Sequence, residues 1–198
     1  MKKQILFIHG GECFNTYEKY LDFLKNKMSA DPFYEREKSW RDDIGDKLGD
    51  DYIFVKPTMP NKYNSKYSEW KIWFEKTLEF LDKKFILVGY SLGGTFLAKY
   101  LGENIINKKI MGLFLVAPAF SEKLEDLGDF KFKINPQNIE KQTENIHIYH
   151  SEDDKVVSFS DFLEFQTNLK SAKCKIFKNR GHFLLEEFPE IIEDIKNI

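Results

Sequence analysis

The chain has 198 residues, 42% hydrophobic and 31% charged, a balance that suits one globular domain over residues 1–198 with a sizeable core. Its 30 basic and 32 acidic residues are interspersed and leave a net charge of −2, so no basic stripe is available to track a nucleic-acid backbone. No apolar run is long enough for a bilayer span or a signal peptide, and two distant cysteines, Cys13 and Cys174, fit a reducing cytoplasm better than a disulfide scaffold.

Residues 4–8 read as a buried strand that ends in His9-Gly10-Gly11. Asn15 or Thr16 is placed to cap a helix whose apolar face carries Tyr17, Tyr20, Leu21, Leu24 and Met28. Residues 30–51 are charged and weakly periodic, with Asp31-Pro32 as a turn and a small helix over 40–48. A second strand covers 52–55, and 57–68 has the composition of a surface loop. Trp70, Trp73, Phe74, Leu78 and Leu81 mark an amphipathic helix. It leads into Phe85-Ile86-Leu87-Val88, four apolar residues that read as a strand buried on both faces of a parallel sheet. A helix follows from Thr95. Residues 111–116 form a fourth strand, stopped by Pro118, and 119–144 lack a clear period and read as a short lid or cap. Residues 146–149 and 174–177 are the fifth and sixth strands, separated by a helix that begins at Ser160 and carries Phe162, Phe165 and Leu169. Pro189 opens a final helix bearing Ile191, Ile192, Ile195 and Ile198. Strands alternating with helices predict an α/β fold, a parallel sheet with helices on both faces.

Gly89-Tyr90-Ser91-Leu92-Gly93 sits between the third strand and its helix and fits G-x-S-x-G, the nucleophile elbow. A serine at the tip of so tight a turn needs small neighbours two residues to either side, because the strand and helix nearly touch there. In an open parallel sheet, function collects beyond the carboxyl ends of the strands. The first strand delivers His9-Gly10-Gly11-Glu12 to that edge, the third Ser91, the fifth Glu152-Asp153-Asp154, and the sixth Gly181-His182. Ser…Asp…His is the chain order of the α/β-hydrolase triad. Serine is a poor nucleophile until a base takes its proton, and His182 is the candidate base. Asp154 is preferred over Asp153 as the orienting acid because Asp154-Lys155-Val156-Val157 fits an Asp-x-x-Val turn, which leaves Asp153 as a solvated neighbour or turn residue. The N–H groups of Leu92 and Gly11 are the candidate oxyanion donors. Phe14, Tyr90 and Phe183 adjoin these groups and are candidates for an apolar acyl pocket, with core packing as the competing role.

The other motifs read blandly. His9 is expected to brace its loop, His147 and His150 to be structural, and Cys13 to be a small buried hydrophobe. Four scattered histidines and two distant cysteines give no metal-ligand spacing, and Gly93-Gly94 lacks the pattern of a phosphate or dinucleotide loop, so neither metal nor cofactor is expected.

His9-Gly10-Gly11, Gly-Tyr-Ser91-Leu-Gly, Asp154 and Gly-His182-Phe, on so short a chain, resemble the small α/β-hydrolases of the YdeN type, related to the serine hydrolase known as retinoblastoma-binding protein 9. The likeness runs over nearly the whole chain. It implies a three-layer Rossmann-like α/β-hydrolase fold of about six mostly parallel strands with a minimal cap. It also implies a Ser91-Asp154-His182 triad and a carboxylesterase-like activity. Ser158 departs from the proline that many members carry after the acid, and 30–51 is longer than the family leads one to expect, where it would shape the pocket or a contact surface. The resulting expectation is a cytoplasmic serine esterase that cleaves a small ester through an acyl-enzyme, as a monomer or weak homodimer without nucleic-acid or membrane partners. Its rivals are a binding or scaffold protein that keeps the hydrolase fold, and an acyltransferase using the same triad.

Overall fold

Two faces of one sheet are already written into β1 (Lys3–Ile8), where Ile5 and Phe7 enter one core and Leu6 and Ile8 the other. The computed structural model describes residues 2–33, 37–120 and 125–198. After β1 come α1 (Tyr17–Asn26), α2 (Trp40–Leu48), β2 (Tyr52–Val55), α3 (Tyr67–Glu79), β3 (Lys84–Tyr90) and α4 (Leu92–Glu103). β4 (Lys109–Val116), a 3-10 segment (Glu125–Phe130) and α5 (Pro136–Glu140) follow, then β5 (Ile146–Ser151), α6 (Phe159–Asn168), β6 (Lys173–Phe177) and α7 (Pro189–Lys196). The six strands form a sheet in the order β2-β1-β3-β4-β5-β6, and every pair is parallel. Trp70, Phe74, Phe96, Phe162 and Phe165 pack on one face, and Trp40, Ile44, Phe188, Ile191 and Ile195 on the other. The strand order reverses between β1 and β3, so the chain leaves these two strands toward opposite faces and a crevice opens at their carboxyl ends. No helix among the described residues is long and apolar enough to cross a membrane.

Two local expectations need correction, and two more fall partly outside the described residues. The apolar face assigned to α1 covers no core: none of its residues is buried, and Tyr17, Leu21 and Leu24 are exposed. The helix is an addition beyond the carboxyl edge of the sheet, because α2 already covers the face that the β1-to-β2 crossover has to fill. In α3 the buried stripe is Trp70, Phe74 and Leu78, spaced by four, which leaves Trp73 half-exposed. The lid expected over 119–144 lies partly outside the described residues. Its described part is fastened down: Phe130 and Ile139 are fully buried, and the Lys99 ammonium donates to the carbonyls of Asp129 and Lys131 at 2.8 and 2.7 Å. Residues 34–36 of the long 30–51 segment also lie outside the described residues. The rest places α2 against Phe188 and α7, with no described residue of 30–51 reaching the crevice over β3.

Candidate active site

The turn between β3 and α4 explains the sequence spacing around Ser91. Ser91 has φ 53° and ψ −124°, a conformation that costs a non-glycine residue about 1–3 kcal/mol. Its N–H donates to the Val116 carbonyl at 2.8 Å, and its carbonyl accepts from the N–H groups of Gly94 and Thr95, so the strain is held from both sides. A Cβ at residue 89 would lie 2.7 Å from the Gly94 Cα, and one at residue 93 only 2.2 Å from the Ile8 carbonyl oxygen. Both positions therefore exclude any side chain. Leu92 is the first residue of α4, so its N–H has no intrahelical acceptor and joins the positive end of the helix over the crevice.

His182 reaches Ser91 from the loop after β6. Gly181 (φ 50°) and Phe183 (φ 54°) reverse the chain on either side of it. The imidazole Nδ1 lies 2.7 Å from Asp154 Oδ2, and Nε2 lies 2.9 Å from Ser91 Oγ. Asp154 Oδ1 accepts from the N–H groups of Val156 and Val157 at 2.8 and 3.0 Å, the physical content of the Asp-x-x-Val turn. Burial pushes the Asp154 carboxyl up, but the bonds from His182, Val157 and Val156 outweigh it and hold the group below its ordinary value. Asp154 is thus a buried anion facing the imidazole. Asp153 turns the other way and bonds Ser151 Oγ at 2.5 Å and the Gly181 N–H at 2.9 Å, which makes it more than a solvated neighbour.

The loop after β1 forms the other wall. His9 Nε2 accepts from the Met59 N–H at 2.8 Å, and its Nδ1 donates to the Gly10 carbonyl at 2.6 Å. Burial lowers the His9 pKa, with the Gly10 bond opposing, which fits this neutral bracing role. At Gly11 a Cβ would sit 2.8 Å from the Lys62 carbonyl and 2.9 Å from Ser65 Oγ, so only glycine lets the loop lie this close to its neighbour. Glu12 fixes the next step through two backbone bonds of 2.7 Å, to Lys62 and from Ser65. Burial raises the Glu12 carboxyl, with the His182 charge opposing. Gly11, Ser91 and Leu92 open onto one cavity of about 550 Å³, walled by Phe14, Phe23, Leu127 and Val157. Lys19, Asp22 and Lys27 of the α1 region stand at the same cavity. Phe23 and these three had no sequence signal, since periodicity shows that a helix has an apolar side but not what that side meets.

Phe14 lines the cavity, but Tyr90 and Phe183 do not. Both are buried in the opposite core with Trp40 and Phe188. Tyr90 follows the β3 alternation through Ile86 and Val88, so its ring drops behind the crevice, where its hydroxyl donates to the His182 carbonyl at 2.7 Å. The Phe183 ring packs on Phe188, and its carbonyl accepts from Trp40 Nε1 at 2.9 Å. His147 stacks on Phe114, 3.6 Å from Asp194, and His150 is buried with Nε2 3.2 Å from the Val157 carbonyl. Cys13 is buried at the cavity wall. No group of three metal-ligating side chains occurs among the described residues.

This arrangement has the parts for acyl transfer: a strained hydroxyl, an imidazole in reach of it, a buried carboxylate behind the imidazole, and N–H groups at the cavity floor. Comparison with known proteins gives the same direction. The serine hydrolase family model matches residues 35–193. Serine hydrolase RBBP9 of Rattus norvegicus is 26% identical over 140 residues, 71% of this chain and 74% of its own. Among solved structures, the ydeN gene product of B. subtilis superposes with a TM-score of 0.78 at 20% identity, covering 99% of this chain and 98% of its own. The 2-hydroxy-6-oxo-6-phenylhexa-2,4-dienoate hydrolase of Rhodococcus sp. strain RHA1 does so with a TM-score of 0.67 at 12% identity, covering 98% and 91%. At these identities the two structures speak for the fold alone.

Proposed function

The chain belongs to the serine hydrolase family, and on that premise we propose that it cleaves a small ester through an acyl-enzyme on Ser91, with His182 as general base and Asp154 as its orienting acid. The observation that carries this reading is the unbroken contact from Ser91 Oγ to His182 Nε2 and from His182 Nδ1 to Asp154, drawn from three separate strand ends. With the proton on Nδ1 donated to Asp154, Nε2 is free to accept the Ser91 proton as Oγ attacks the ester carbonyl. The oxyanion that forms is met by the N–H groups of Leu92 and Gly11, each such donor contributing about 3 kcal/mol to the barrier reduction. Collapse of the tetrahedral intermediate breaks the bond to the alkoxide, which leaves with the proton from Nε2. Water then enters, gives its proton to the same nitrogen and attacks the acyl carbon; collapse breaks the bond to Ser91 Oγ, which takes the proton back from Nε2, and the acid is released.

Phe14, Phe23, Leu127 and Val157 favour an apolar acyl or alcohol group of modest size, and the cavity of about 550 Å³ falls within the range of small-molecule sites. The test is Ser91→Ala. It should abolish hydrolysis of p-nitrophenyl acetate and labelling by a fluorophosphonate probe while the melting curve keeps its cooperative shape. Labelling that persists in this variant rejects the assignment.

A further inference from the structure

Among the described residues the imidazole hydrogen-bonds Asp154 and Ser91 and its ring lies against Tyr90, yet the backbone that carries it runs through two left-handed residues, Gly181 and Phe183. Such a turn has no intrinsic reason to hold one shape, so its geometry has to be imposed from outside. The exit side is fixed three times: Tyr90 Oη donates to the His182 carbonyl, Trp40 Nε1 to the Phe183 carbonyl, and the Phe183 N–H returns to Arg180. The entry side depends on β5. Ser151 Oγ accepts from the Arg180 N–H at 2.9 Å and donates to Asp153 Oδ1, and that same oxygen accepts from the Gly181 N–H at 2.9 Å.

Adjacent acids on one turn thus address adjacent residues on another, Asp153 the backbone of residue 181 and Asp154 the ring of residue 182. We propose that Asp153, braced by Ser151, is a positioning residue that sets the approach of the His182 imidazole to Ser91 by fixing the peptide plane before Gly181. Asp153 never meets substrate. Its side chain is solvent-exposed, so its effect comes from the direction of the two accepted bonds rather than from its charge in a low dielectric. The bonds from Ser151 and Gly181 hold its carboxyl below the ordinary value, so it stays an acceptor through the working pH range.

The inference rests on the hydrolase reading for its kinetic arm only. Asp153→Ala should lower kcat about tenfold with KM unchanged, since a small misplacement of a reacting group is felt in turnover and not in binding. Asp153→Asn keeps an oxygen that accepts both bonds and should return kcat to within threefold of the parent protein. The second readout is the far-downfield proton NMR signal of the His182 Nδ1–H. It should broaden or vanish in Asp153→Ala and persist in Asp153→Asn and in Ser91→Ala. An Asp153→Ala variant that keeps both the signal and kcat within twofold overturns the proposal, as does an Asp153→Asn variant as slow as the alanine. If the parent protein shows no turnover but its NMR signal still depends on Asp153 in this way, the positioning stands and the hydrolase reading falls.

Discussion

Gly93→Ala tests the close approach on which the crevice is built. The added Cβ would lie 2.2 Å from the Ile8 carbonyl oxygen, 2.6 Å from that of His9 and 2.7 Å from the Ile8 carbonyl carbon, all of them backbone. Ordinary contact begins near 3.4 Å. Relief therefore requires α4 and the end of β1 to separate by about 1 Å, the difference between 3.4 and 2.2, because no flexible side chain can yield instead. That separation moves Leu92 away from the loop bearing Gly11, so the two proposed oxyanion donors would no longer converge on one atom. A misplacement of this size is expected to cost about 100-fold in kcat, and the overpacking about 1–3 kcal/mol of stability. For a chain of this length each kcal/mol lowers Tm by about 2–4 °C. Gly102→Ala, in the same helix, is the reference, since its Cβ would find Asn135 at an ordinary 3.6 Å. It should leave kcat unchanged and match or exceed the parent Tm, as alanine favours helix. The assay is p-nitrophenyl acetate hydrolysis, normalised to the folded fraction from the melting curve. A Gly93→Ala enzyme within threefold of the parent kcat refutes the argument.

Two further predictions concern pH. Asp161 is buried, its carboxylate accepts one bond from among the described residues, the Phe120 N–H at 3.2 Å, and burial pushes its carboxyl up to about 6. A folded-state value above the unfolded one means that stability is lost as pH rises through 6, so Asp161→Asn should gain up to about 3 kcal/mol at pH 7 and nothing below pH 4. Urea unfolding across that range checks it, and a gain that does not change with pH refutes it. Burial foremost lowers the pKa values of His9, His147 and His150, so stability present above about pH 6.5 should fall as the pH drops further and the unfolded chain takes up protons the native state refuses. Melts from pH 7.5 to 5.5 should show this decline, and His150→Gln should decline less steeply. An equal slope in both proteins rejects the assignment to His150.

What the sequence made legible follows from what local pattern can encode. The elbow could be read because sterics tie its glycines to the serine, and Asp154 because its acceptor turn spans only three residues. For Tyr90 and Phe183 the core-packing role is the one the structure shows, because proximity in sequence to the site does not amount to proximity in the cavity. The alternation of β3 already set Tyr90 with Ile86 and Val88, facing away from the crevice. Neither the role of α1 nor the Asp153–Gly181 bond was legible. The first depends on a cavity that Lys19, Asp22 and Phe23 meet only once the chain is folded, and the second is a direct bond between residues 28 apart whose acceptor is braced by the hydroxyl of a third.

The order of strands in the sheet also has a bearing on timing. Ser91, the proposed nucleophile, lies near the middle of the chain, but His182, its proposed base, arrives only after β6 has added itself to the far edge. A nascent polypeptide that has already organised β1 to β4 on the ribosome would carry the hydroxyl without the means to activate it. Recovery of turnover during refolding would then report completion of the last edge and not collapse of the core. On the proposed mechanism, reactivity would in this way be withheld until synthesis has passed the imidazole.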